Sequence, residues 1–90
     1  MNKSRRKQIQ EVLKKIEELK SEMECLMDEV EIIYDDEYEY MENIPENLWG
    51  SERYNKAEAA CNALETAKDA LEESKDVLDE VTSSLEEASE

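Results

Sequence analysis

Apolar side chains in the first half of the chain recur at alternating steps of three and four: Ile9, Val12, Ile16, Leu19, Met23, Leu26, Val30 and Ile33. That spacing places them at the a and d positions of a heptad and predicts a helix with a coiled-coil seam. A second row, Leu13, Met27, Tyr34 and Met41, lies one position beyond the d residues and widens the apolar stripe. A stripe that broad suggests more than one neighbour. The second half repeats the pattern through Ala57, Ala60, Leu64, Ala67, Leu71, Ser74, Leu78, Val81, Leu85 and Ala88. Its small residues allow another helix to come close.

Between the two halves lies ENIPENLWGSERY, which holds the only Pro, the only Gly and the only Trp of the chain. Pro45 pushes Ile44 out of the helical region, Gly50 permits a positive φ, and Ser51 is a good N-cap for the second helix. Ser4 is the expected N-cap of the first helix. The pattern predicts one all-α domain over residues 1–90, with helix 1 about 4–42, a loop 43–51 and helix 2 about 52–89. Arms of about 38 residues, or ~57 Å, joined by a short loop make an antiparallel, coiled-coil-like helical hairpin. Two helices alone bury little, so dimerisation to a four-helix bundle is expected.

A turn centred near residue 47 sets position i opposite roughly 94 − i. Cys25 then faces the region of residue 69 and Cys61 the region of residue 33, ~12 Å apart along the axis, too far for a disulfide. Both are read as free thiols. Glu37 falls on an a position, so the seam is expected to open near the loop.

Composition narrows the class further. With 41% charged residues, one Gly and one Pro, the chain has little material for turns or a sheet, and 39% hydrophobic residues speak against disorder despite a net charge of −15. No apolar run approaches the roughly 20 residues of a membrane span, and MNKSRRKQIQEVL has no signal-peptide core. The expectation is a soluble cytoplasmic protein. Residues 1–20 carry net +4 and residues 72–90 net −7. Antiparallel folding is therefore expected to bring Arg5, Arg6 and Lys7 to Glu86, Glu87 and Glu90 and so offset their unfavourable helix-end placement.

Candidate chemistry is sparse. There is no His and no CxxC, which removes the usual zinc ligands. Glu73 and Asp76 have the ExxD spacing of helical magnesium-dependent pyrophosphatases, yet they point sideways and outward from the core row. No Gly-rich phosphate loop or basic catalytic group accompanies them. DDEYEYMENIPE lacks EF-hand spacing, and no basic region precedes the leucine repeat, so direct nucleic-acid binding is not expected. The chain reads as a non-enzyme without cofactor or metal.

Charge is what remains. Residues 21–48 hold eleven acidic side chains and no Lys or Arg, and residues 21–71 carry −12 of the total −15. Over ~40 Å of axis this is one charge per ~3.5 Å, about half the density of duplex DNA. Tyr34, Tyr38 and Met41 run beside Asp35, Asp36, Glu39 and Glu42 at helical spacing, joining acidic steering to residues that often anchor interfaces. With Trp49, which either plugs the hairpin tip or awaits a ligand, these eight form the candidate partner-binding set. The competing explanation is that the acidic residues only keep a small helical protein soluble.

The loop segment NIPENLWGSERYNKAE, residues 43–58, resembles the NIPENL-GSERY-KAE segment of small acidic helical proteins encoded by low-GC Gram-positive bacteria and their phages. The flanking KSRRKQIQEV and LEEA stretches look similar too. The resemblance implies a two-helix, cytosolic, often phage-associated protein and supplies no catalytic residues. Phages encode small acidic proteins that occupy nucleic-acid channels of host enzymes or defence complexes. The functional expectation is therefore an inhibitor or modulator that mimics DNA on a basic surface of a host or defence protein. The alternative is a coiled-coil scaffold or assembly factor that acts by self-association.

Overall fold

The computed structural model describes residues 2–90. Helix α1 spans Lys3–Glu42, a 3₁₀ turn spans Glu46–Leu48, and helix α2 spans Glu52–Ala88. The two helices pack side by side as an all-α antiparallel hairpin whose Cα atoms extend 69 × 16 × 13 Å. No helix is long and apolar enough to cross a membrane among the described residues.

The helix ends follow capping chemistry, with one correction. Asn2, and not Ser4, caps α1: its Oδ1 accepts from the Arg5 backbone N–H at 2.8 Å. Asn is at least as good a cap as Ser, and its position two residues earlier gains another half turn of helix. At the other end the chain leaves α1 through Ile44 N–H donating to Met41 O at 3.2 Å, and the 3₁₀ turn begins after Pro45. Gly50 adopts φ +91°, and the Ser51 hydroxyl accepts from the Tyr54 backbone N–H to start α2.

Burial does not follow the expected a and d rows. Along α1 the inward residues are Ile9, Leu13, Ile16, Lys20, Met23, Met27, Val30, Tyr34, Glu37, Met41 and Ile44; along α2 they are Tyr54, Ala57, Ala60, Cys61, Leu64, Lys68, Leu71, Lys75, Leu78, Thr82 and Leu85. Each helix thus turns its a row and its e row inward and leaves its d row out, apart from Ala60 beside the tip. Val12, Leu19, Leu26 and Ile33 are 45%, 46%, 47% and 54% exposed. The tip decides the rotation. Met41, Ile44, Ala57 and Cys61 form a buried cluster with Tyr34 and Tyr54 packed against it, and fixing those residues inward fixes the phase of both helices. The same heptad rows stay inward from Ile9 to Ile44, which requires the left-handed supercoil of a 3.5-residue repeat.

Three lysines occupy the inward e rows, and each reaches across to the other helix. Lys20 pairs with Asp79, Lys75 with Glu24, and Lys68 with Glu31 at 3.1 Å. Their aliphatic stems cover the seam while the ammonium groups stay in water. Each partner lies about five residues further along the chain than the expected register. Side chains tilt toward the N-terminus of their own helix, so those of α1 lean away from the loop and those of α2 toward it. For the same reason Cys61 does not face residue 33 but joins Met41 in the tip cluster. The seam is closed near the loop, contrary to the opening expected from Glu37, and four of the five buried hydrophobics among the described residues lie there. No ion pair links Arg5, Arg6 or Lys7 to Glu86, Glu87 or Glu90 among the described residues; the cross-helix pairing starts further in, at Lys20.

Candidate protein-binding surface

The eight candidate residues separate into two groups. Met41, expected among the surface anchors, is buried, because its row is the one the tip cluster turns inward. Tyr34 is half-buried on that cluster, and its ring stacks on Tyr38 with centroids 5.9 Å apart and planes at 21°. Trp49 folds over the tip: its indole N–H donates to Ile44 O at 3.0 Å and its ring lies 5.6 Å from that of Tyr54. Its polar atom is thereby committed to loop closure, while half of the side chain stays exposed.

Asp35, Asp36, Tyr38, Glu39 and Glu42 form the second group, and all are exposed. Positions 36, 39 and 42 fall on the side of α1 turned away from α2 and Asp35 stands at its edge, so the carboxylates make a convex acidic back that runs onto one flank. The Tyr38 hydroxyl is pushed above its ordinary value by a hydrogen bond to Glu42 and by that group's charge. It therefore stays a neutral donor amid anions.

The acidic character continues around the flank. A shallow groove of about 230 Å³ is lined by Glu31, Asp35, Glu65, Asp69 and Glu72 around Lys68, whose pKa is raised first by its hydrogen bond to Glu31. One lysine among five carboxylates leaves the flank negative. On the opposite face Arg53 Nε donates to Tyr40 Oη at 2.6 Å with the guanidinium 5.1 Å from the ring centre. Neither residue stands out in the sequence pattern, although Tyr40 and Arg53 each continue a heptad row toward the loop.

Glu73 and Asp76 are exposed, and no group of three or more acidic or Cys side chains is placed to hold a metal ion among the described residues. Cys25 is an exposed free thiol and Cys61 a buried one, pushed up by burial and by the nearby Glu37 charge. No known family, curated protein or solved structure matches the chain. Its function is therefore read from its own surface chemistry.

Proposed function

We propose that the chain is a non-enzymatic acidic binding module, a phage-encoded inhibitor or modulator that occupies a basic nucleic-acid-binding surface of a host or defence protein in the bacterial cytoplasm. The observation that carries this reading is the convex back of α1, where Asp35, Asp36, Glu39 and Glu42 are all exposed and residues 21–48 offer no Lys or Arg to neutralise them. A rigid helix spaces these carboxylates regularly, as a duplex spaces phosphates. Long-range attraction would steer the encounter, and Tyr38 would supply contact area beside the charges.

The test is capture of partners by tagged protein from a bacterial lysate, washed at low and then high salt and challenged with duplex DNA. A nucleic-acid-handling protein released by salt and displaced by DNA supports the reading. Reversing Asp35, Asp36, Glu39 and Glu42 to Lys should cost at least tenfold in affinity for that protein, whereas reversing Glu86 and Glu87 should cost little. Equal losses from both sets, or indifference to competing DNA, would sink it.

A second reading, a scaffold acting by self-association, is favoured by the exposed row Val12, Leu19, Leu26 and Ile33. It predicts an association that survives high salt.

A further inference from the structure

The two helices leave their d rows on the same side of the hairpin. Tyr40 extends the row Val12, Leu19, Leu26, Ile33 by one heptad, and Arg53 precedes the row Ala60, Ala67, Ser74, Val81 by one heptad. The hydrogen bond between Tyr40 and Arg53 spans that side. The ion pairs of Lys20, Lys68 and Lys75 span the other. One face is thus sealed by charge, and the opposite face is an open apolar strip about four heptads long. Val77 and Val81 extend it on α2, each more than a third exposed.

From this we infer that a second copy of the chain covers the strip, stacked face to face with the two loops at opposite ends. The inference rests on the self-association reading and specifies its surface and geometry. Three observations select this occupant and this orientation. First, the chain exposes 6814 Å² for a mass of 10.5 kDa, whereas a compact monomer of that mass exposes about 5,400 Å². The surplus of roughly 1,400 Å² exceeds the ~800 Å² each partner contributes to a standard interface.

Second, each d row is symmetric about the middle of the rod. Inverting α1 about its midpoint, near residue 22, brings Leu19 against Leu26 of the second copy and Val12 against Ile33. The α2 row Ala60, Ala67, Ser74, Val81 inverts about a point between Ala67 and Ser74, at nearly the same height. A two-fold axis through the middle of the face therefore superposes both rows at once, as an isologous interface requires.

Third, charge chooses between the two ways of stacking. The loop half of the hairpin carries −12 and the open half −3. Loops at the same end would lay −12 on −12. Loops at opposite ends lay −12 on −3, set the basic first half of each α1 along the acidic second half of the other, and bring Lys15 to Glu29 of the second copy at the rim.

Sedimentation equilibrium and chemical cross-linking test the proposal together. The wild-type chain should sediment at twice its 10.5 kDa mass. Leu19→Glu with Leu26→Glu should weaken the dimer at least a hundredfold while circular dichroism keeps its helical signal, since neither side chain is in the hairpin seam. In a Cys25→Ser, Cys61→Ala background, Glu22→Cys lies beside the proposed axis and should form a disulfide with its own copy under mild oxidation. A wild-type monomer at all concentrations overturns both the inference and the self-association reading. A dimer indifferent to the Leu19 and Leu26 changes overturns this face alone and leaves self-association standing. A dimer that depends on those leucines but gives no cross-link at position 22 overturns the loops-apart orientation.

Discussion

Trp49 and Gly50 hold the turn by different means, and substitution separates them. Trp49→Phe keeps an aromatic ring near Tyr54 but removes the N–H that donates to Ile44 O, a loss of about 0.5–1.5 kcal/mol. Gly50→Ala adds a Cβ that meets no atom within 4 Å, yet at φ +91° the backbone alone should cost about 1–2 kcal/mol. Urea unfolding of both variants checks these values. A Gly50→Ala protein as stable as the wild type would mean that the turn takes up another conformation. Both residues are marked in the sequence, since each is the only one of its kind. The role of Trp49 is not, because the carbonyl it reaches depends on how the 3₁₀ turn folds back.

At the scale of the helices, the ion pairs predict a pH window. Glu24 titrates below its ordinary 4.5, chiefly through its hydrogen bond to Lys75, and Lys75 titrates above its ordinary 10.5 through the same bond. A lowered carboxylate stabilises the fold above 4.5 and loses that contribution as pH falls through the depressed value; a raised lysine stabilises below 10.5 and loses it as pH climbs through the raised one. Glu24→Gln should therefore lower the melting temperature at about pH 7, and the difference from the wild type should shrink as pH falls through the depressed Glu24 value. A melting difference that does not change with pH would show that the pair contributes nothing through charge.

The same pairs explain which part of the fold was legible. Two helices, their ends to within a residue or two and the antiparallel arrangement follow from periodicity, Pro45, Gly50 and Ser51. The rotation of the helices does not, because steps of three and four read equally well as Ile9, Val12, Ile16, Leu19 or as Ile9, Leu13, Ile16, Lys20. Counting apolar residues selects the first row. The structure selects the second, since a lysine stem can cover a two-helix seam while its ammonium group reaches Asp79. The breadth of the stripe was the clue that both rows have work, one inside the hairpin and one outside it. In the candidate site, the exposed Asp and Glu were readable from charge alone, whereas the burial of Met41 depended on this same rotation.

Across the whole molecule, packing is uneven along the rod. Among the described residues four of the five buried hydrophobics sit at the tip, leaving Ile16 as the lone buried side chain in the remaining length. Tip contacts such as Met41 with Ala57 close the shortest stretches of chain, and short closures cost the least entropy. The hairpin should accordingly fold as a zipper that starts at Met41, Ile44, Ala57 and Cys61 and runs outward, each heptad added at small further cost. Amide hydrogen exchange should then be slowest in α1 and α2 beside the loop and grow steadily faster toward Lys3 and Ala88. Uniform protection along the rod would instead mean that it opens as a single unit. If the gradient is found, a strained or pulled chain gives way first at its free ends. The acidic back, borne on the last section to open, then outlasts much of the structure that carries it.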